Sequence, residues 1–388
     1  MAADPILLTQ HLLQCPSVTP TEAGTLAMVA EFLHHRGFSI EWLDANDVSN
    51  LYARLGSSSP HLCFVGHTDV VPPGDLSQWS VAPFKGEIQD GKLYGRGVVD
   101  MKGAIGAFLA AVDAYLSQHS LDKGSLSILL TTDEEGPSVD GVRYVVEQFK
   151  GRGEKIDACL VGEPTNTEKV GDTVKVGRRG SLNATITVHG KSGHVAYPHL
   201  ARNPIAPLLN YLKSITAHPL DVGMTNFDPS SLETTSIDVE NPTRNVIPSE
   251  ATAKFNIRFN PTQTQGSLTQ YLHTQAEESG LNQEGFAYTL QIQSSGDAFL
   301  CENQALQDLV CDAVLATTGL TPMLSTGGGT SDARFMKDIC PVIEFGLVNA
   351  TAHQIDEHIA VEEIHRLQAS YRQIIQSFLR DFWDCSRN

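Results

Sequence analysis

Side chains able to bind a metal or move a proton recur in this chain at one kind of place, directly after an apolar run. His67 and Asp69 follow Leu62-Cys-Phe-Val-Gly66, and Asp100 ends Gly95-Arg-Gly-Val-Val-Asp100 just before an Ala-rich stretch. Asp133, Glu134 and Glu135 follow Ile128-Leu-Leu-Thr-Thr132, Glu163 follows Leu160-Val-Gly162, and His353 comes after Phe345-Gly-Leu-Val-Asn349. Each has an ordinary explanation by itself. A single His after a strand is usually a satisfied loop residue, Asp100 suits a helix N-cap, Asp133-Glu-Glu135 reads as a solvated acidic loop, and Glu163-Pro164 as the stop of a strand. Their coincidence at the carboxyl ends of successive strands, where open α/β sheets bind ligands, points instead to one site.

A donor set of imidazole and carboxylate favours zinc or a similar transition ion over calcium or magnesium, which take oxygen shells. Five donors with a net negative charge suit two ions sharing one carboxylate. Metal binding lowers the pKa of a water from ~15.7 to about 7, on the order of 12 kcal/mol in favour of hydroxide. A carboxylate beside the donors would then serve as general base and hand the proton to a leaving amine. One member of the Glu134-Glu135 pair is placed for that task. Rival chemistries lack their motifs: Gly190-Lys-Ser-Gly-His194 is not a nucleophile elbow, there is no HExxH, and Gly327-Gly-Gly329 runs into Thr330-Ser331 without the Lys of a phosphate loop. No GxGxxG opens a helix, and nothing marks a nucleophilic Cys.

The elements that must carry these residues read as two kinds. Asp4-Pro5 caps a short helix, a second helix covers about 23–35, and apolar strands at 62–65, 127–130 and 158–161 alternate with helices beginning near Ile105 and Val142. Continuous apolar strands imply a sheet covered on both faces. After Arg179 the texture changes, because Leu182, Ala184, Ile186 and Val188 alternate with polar residues. A helix from Asn203-Pro204, strands near 231–239 and 251–259, a helix over 267–278 and a strand through Phe286 to Ile292 complete a β-α-β-β-α-β ferredoxin-like order. From Ala305 the buried texture returns, with Pro341-Val-Ile-Glu-Phe345 as a core strand. The fold expected is therefore α/β, a mixed sheet with helices on both faces over 1–179 and 294–388, interrupted by a smaller domain at 180–293.

The chain has 388 residues, with 27 Lys plus Arg against 45 Asp plus Glu, a net charge of −18 that argues against nucleic-acid or anionic-membrane partners. Seven scattered cysteines (Cys15, Cys63, Cys159, Cys301, Cys311, Cys340, Cys385) form no CxxC pair, as in a reduced cytoplasmic protein. The N-terminus lacks the pattern of a signal peptide, and no apolar run approaches the roughly 20 residues of a membrane span. Cytoplasmic location is the expectation.

At these residues the sequence resembles the co-catalytic zinc hydrolases of the aminoacylase and glutamate-carboxypeptidase superfamily. The resemblance runs in order through Gly66-His-Thr-Asp-Val-Val-Pro-Pro-Gly74, Gly95–Gly103, Asp133-Glu-Glu135, Val161-Gly-Glu-Pro164, Gly177-Arg-Arg-Gly-Ser-Leu182, Gly193-His-Val-Ala-Tyr-Pro-His-Leu200, Gly328-Gly-Thr-Ser-Asp-Ala-Arg-Phe335 and Asn349-Ala-Thr-Ala-His353. The metal motifs mark the superfamily; the GRRGSL, HVAYPHL and GGTSD segments are closest to the branch acting on succinylated diaminopimelate. The resemblance implies that His67, Asp100 and Glu163 bind one zinc and Asp100, Glu135 and His353 a second, with Co2+ as a substitute. It makes Glu134 the base and Asp69 the partner that orients His67. It also implies a homodimer through the inserted domain, with His194 reaching into the other subunit's site to stabilise the oxyanion.

The reaction implied is hydrolysis of the amide of N-succinyl-LL-2,6-diaminopimelate to succinate and LL-2,6-diaminopimelate, in diaminopimelate and lysine biosynthesis. Acetylornithine deacetylation or another N-acyl-amino-acid amidase activity is the alternative within the class, and a metal-free binding subunit the alternative outside it. A substrate with several carboxylates needs local cations, which Lys175, Arg178, Arg179 and Arg258 can supply. Arg258 lies on the polar parity of its strand, opposite Phe255, Ile257 and Phe259. The same cations also suit a lid surface that simply pairs with acidic neighbours. Gly329 and Thr330, in Gly328-Gly329-Thr330, offer N–H groups as an anion nest, with Tyr197, Asn245, Ser331 and Asn349 as further polar contacts. Two stretches depart from that branch, Arg244-Asn245 where a pair of Asn is usual and Gly136-Pro-Ser-Val-Asp140 after the acidic pair.

Overall fold

A strand buried along its whole length must be covered on both faces, and His61–His67 and Ser125–Thr131 are buried at every residue. They lie inside an eight-stranded sheet with the order Ser39–Trp42, Asn50–Gly56, Ser125–Thr131, His61–His67, Ala158–Val161, Val342–Glu344, Thr173–Lys175, Met323–Ser325. The structure, a computed structural model, describes residues 3–282 and 286–385, with the side chains of Ser295 and of 381 onward, Cys385 among them, outside the description. One face of the sheet meets the helices Gly103–Leu116 and Val361–Cys385, where Phe64 stacks on Phe108 at 4.1 Å and packs edge-on to Tyr371 at 5.7 Å. The other face meets the helix Val142–Arg152 through Tyr52 and Phe149, 4.8 Å apart.

The sheet is mixed. Ser125–Thr131, His61–His67, Ala158–Val161 and Val342–Glu344 run parallel, so their carboxyl ends share one edge. Asn50–Gly56 pairs antiparallel with Ser125–Thr131 and carries the edge strand Ser39–Trp42 antiparallel outside it. The expected short helix is Pro5–Leu13, with Asp4 Oδ1 accepting from the Ile6 N–H at 2.8 Å. The second helix is Thr25–His34.

The chain divides into two units, 1–177 with 301–325 and 331–388, and 178–300 with 326–330. The junctions therefore lie a few residues from the 179/180 and 293/294 boundaries read from the pattern, and 326–330 joins the smaller unit. The cause is bonding that sequence distance hides: Thr326 Oγ1 donates to the Asn226 carbonyl, and Arg178 Nη1 donates to the Gly329 carbonyl at 3.0 Å.

The smaller unit is an antiparallel four-stranded sheet, ordered Ser231–Asp238, Glu250–Phe259, Gly180–His189, Ala287–Gly296. With the helices Ile205–Thr216 and Gln265–Glu278 this is the β-α-β-β-α-β ferredoxin-like arrangement. The alternation does what its parity requires. Leu182, Ala184, Ile186 and Val188 join Phe255, Ile257 and the helical Leu208, Tyr211, Leu212, Leu268 and Leu272 in one core. Among the described residues no helix is long and apolar enough to cross a membrane.

Candidate metal centre

The parallel strands deliver three parts of the site to one edge of the larger unit. His67 ends its strand opposite Thr131, so Glu134 and Glu135 leave the neighbouring strand beside it. Glu163 stands two residues beyond Ala158–Val161. His67 is 1% exposed, and its Nδ1–H donates to the Asp69 carbonyl at 2.9 Å, which leaves Nε2 to face the cluster. That nitrogen lies 3.1 Å from Asp100 Oδ1 and 3.6 Å from Glu163 Oε1.

Asp100 is the pivot. Its Oδ1 faces His67, while Oδ2 is 3.2 Å from His353 Nε2, which in turn is 2.8 Å from Glu135 Oε1. One carboxylate thus presents an oxygen to each of two imidazoles, as a ligand shared between two ions must. Donor atoms of His67, Asp100 and Glu135 lie within 4.8 Å of one another, and so do those of His67, Glu134 and Glu163. Asp69 acts through both of its ends. Its carbonyl orients His67, and its carboxylate, with Oδ1 3.6 Å from His67 Nδ1, accepts the Glu134 and Glu135 N–H groups at 3.4 and 3.1 Å, fixing the loop that carries the acidic pair.

The electrostatics of this cluster call for cations. Burial, reinforced by the carboxylates of Glu163, Asp100 and Glu135 against the opposing pull of His67, pushes the Glu134 carboxyl up to about 8. Hydrogen bonds that His353 donates to Asp100 and Glu135 push it up to about 10. Burial pulls His67 down, but its bonds to Asp100 and Asp69 prevail and hold it well above the usual imidazole range. Burial would raise Asp100, yet both imidazoles hold it below the usual carboxylate range. Protons here stand in for positive charge, and a divalent ion held by the same nitrogen and oxygen atoms fits the donor chemistry.

The remaining expected contacts are distributed as follows. Lys175 is buried in the sheet of the larger unit, directly opposite the buried Glu344, and Ser331 Oγ donates to Glu344 Oε1 at 2.7 Å. Asn349 is exposed at the start of the turn Asn349–Thr351. In the smaller unit, Arg258 is half-buried, and burial followed by repulsion from Arg179 lowers its pKa. Arg179 Nε is buried without a hydrogen-bond partner. Two adjacent guanidiniums of this kind form a place for an anion. Gly329, whose carbonyl takes the Arg178 bond, is exposed and Thr330 half-buried. His194, Tyr197 and Asn245 gather on an exposed ribbon, where Gly193–His194 pairs with Val246–Ile247, Val195 N–H donates to the Asn245 carbonyl at 3.1 Å, and the His194 and Tyr197 rings are 5.7 Å apart.

Four residues near the centre escaped the sequence reading. Glu357 and Arg96 form a buried ion pair at 2.9 Å under the Asp100 loop, and Lys102 is fully buried with Nζ donating to the Cys15 carbonyl at 2.9 Å. Asp332, 2% exposed, has neither carboxylate oxygen hydrogen-bonded, and burial with the charge of Glu134 pushes its carboxyl far above the usual range. Only the spacing His353-x-x-x-Glu357 and the Gly95-Arg-Gly97 turn hinted at the first pair.

A family profile described as Peptidase family M20/M25/M40 matches residues 63–377. The chain is 53% identical over 381 residues to the "Succinyl-diaminopimelate desuccinylase" of Rhodospirillum centenum, covering 97% of each chain. It is 48% identical over 384 residues to the protein of that name from Caulobacter vibrioides, covering 98% of each. Among solved structures it shares the fold of an M20 family metallo-carboxypeptidase from Sulfolobus solfataricus, with TM-score 0.79 at 16% identity over 97% of this chain and 99% of the other. It likewise shares the fold of a Bacillus subtilis protein described as a dinuclear metal binding peptidase from M20 family, with TM-score 0.74 at 14% identity over 97% and 98% of the two chains. The match covers every residue of the centre, from His67 at the end of its strand to His353, and the chain belongs to peptidase family M20/M25/M40.

Proposed function

We propose that this chain hydrolyses the amide of N-succinyl-LL-2,6-diaminopimelate to succinate and LL-2,6-diaminopimelate, using two divalent ions and Glu134 as general base. The observation that carries the chemistry is Asp100, whose two oxygens face His67 and His353. The substrate comes from relatives about half identical to the chain along nearly its whole length. In this reading His67, Asp100 and Glu163 hold one zinc and Asp100, Glu135 and His353 the other, and Co2+ can replace either. The ions supply Lewis acidity toward the amide carbonyl and a water acidic enough to lose a proton near neutral pH. Glu134 accepts that proton on its carboxylate and returns it to the leaving amine nitrogen. Burial among carboxylates raises the proton affinity of Glu134, and bound cations would offset part of that rise and leave a carboxylate free to accept the proton.

The smaller unit supplies the other half of the reaction in this reading. Arg258 and Arg179 bind a substrate carboxylate, with Arg178, Gly329 and Thr330 shaping the anion nest beside them. The chain pairs with a second copy through the smaller unit, and His194 donates to the oxyanion in the opposite subunit's site, with Tyr197 and Asn245 alongside. Lys175, Ser331 and Asn349 are further substrate contacts from the larger unit, with Ser331 held by its bond to Glu344. The deciding experiment is a turnover panel on the zinc-loaded protein with succinyl-diaminopimelate and acetylornithine. Higher kcat/KM for the succinylated substrate is expected; preference for acetylornithine overturns the assignment and leaves the metal chemistry standing.

A further inference from the structure

Asp100 does its work from a backbone that cannot hold itself. Residues 98–102 do not form a regular helix: Asp100 is extended at φ −123° and ψ 92°, and Gly97 before it is left-handed at φ 84°. A β-carbon at Gly97 would lie 2.4 Å from Val70 Cγ1, so the turn admits only glycine. Such a loop leaves the Gly97, Val99 and Asp100 N–H groups without local acceptors, and one side chain from far along the chain takes them. Glu357, fully buried, accepts on Oε2 from Gly97 N–H and Arg96 Nη1, both at 2.9 Å, and on Oε1 from Val99 N–H at 2.9 Å and Asp100 N–H at 3.4 Å.

The same segment carries His353, four residues earlier. It is sewn to the Asp100 loop at further points: Gly95 N–H donates to the Glu357 carbonyl at 3.0 Å, Arg96 Nη1 to the Gln354 carbonyl at 3.1 Å, and His358 pairs with Tyr94 across an antiparallel ladder. Thus one carboxylate fixes where Asp100 stands and how far it is from His353. A metal tolerates only about 0.2 Å of error in its ligand distances, and the ion proposed between Asp100, Glu135 and His353 draws ligands from both loops.

We propose that Glu357 is a positioning residue that sets the affinity of the second metal site, the one completed by His353, by locking the Asp100 and His353 loops in register. This rests on the two-ion reading above. Glutamine cannot take its place, because all four contacts are donors and its amide nitrogen would oppose one pair of them. Glu357→Asp keeps the charge but shortens the reach.

The test is stepwise Zn2+ binding to the metal-stripped protein by chelator competition, with visible absorption of the Co2+-loaded form recorded at each equivalent. Wild type is expected to take two ions. In E357Q the second should weaken roughly 10- to 100-fold while the first, which shares Asp100 but takes nothing from the His353 loop, weakens less, with the Co2+ bands of the second equivalent altered and kcat reduced at little change in KM. E357D should lie between the two and replaces E357Q if that variant does not fold. Wild type taking a single ion refutes the two-ion reading and this inference together. Two ions in wild type, with a folded variant that matches it or weakens both sites equally, refute the inference alone. So does failure of both variants to fold, since Glu357 would then be serving the fold and not the site.

Discussion

The two units carry their polar residues in opposite ways. In the larger, His67, Asp69, Asp100, Glu134, Glu135 and Glu163 are buried or nearly so and bonded to one another at strand ends. In the smaller, His194, Tyr197 and Asn245 lie exposed on a two-stranded ribbon, and Tyr197 is 56% accessible. A dipole or charge fixed in a dry, buried cluster acts at full strength on a developing charge, whereas the same group in water is screened. The centre of the larger unit is therefore preorganised, and the ribbon gains force only when another surface covers it.

Removing the proposed base, Glu134, probes the preorganised side and carries the largest expected effect. Glu134→Gln should lower kcat by roughly 10²- to 10⁴-fold with metal content unchanged; wild-type turnover in a metal-replete variant would take the base role from Glu134. On the exposed side, His194→Ala should cost roughly 100- to 1000-fold, again without loss of metal. If His194 acts in the other subunit, mixing this variant with Glu134→Gln restores part of the activity through heterodimers carrying one intact site. No recovery under proven subunit exchange would place His194 outside the reaction or within its own subunit's site. The smallest effect is expected at Arg258. Deleting one charged hydrogen-bonding partner of a carboxylate loses about 1.5–3 kcal/mol, roughly ten- to hundredfold in kcat/KM. Arg258→Ala should show this as a raised KM, more for a dicarboxylate acyl group than for acetyl. An equal effect on both substrates would remove Arg258 from acyl recognition.

Legibility followed locality. His67, Glu134, Glu135 and Glu163 could be read because strand periodicity is local, and the end of a parallel strand is a defined place for a ligand. The inserted domain was legible for the same reason: Leu182 to Val188 and Ala251 to Phe259 alternate, and the parity that hides Ile257 leaves Arg258 half-buried. Lys175 shows the limit. Its charge suggested a substrate contact, and only the register of two strands separated by nearly half the chain places it across from Glu344 inside the sheet. Segment 326–330 shows it again, since its bonds to Asn226 and Arg178 span about 100 and 150 residues.

The chain's order of residues alone determined the alternating elements, the change of texture near 179, the donor types and hence a metal-dependent hydrolase chemistry, all of which depend on neighbours a few positions apart. Tertiary structure decided which oxygen of Asp100 meets which histidine, that Asp69 serves His67 and the acidic loop at once, and that Glu357 holds the Asp100 loop from 257 residues away. These are matters of distance to a few tenths of an ångström between segments remote in sequence. Only packing of the sheet and helices around a common core sets such distances.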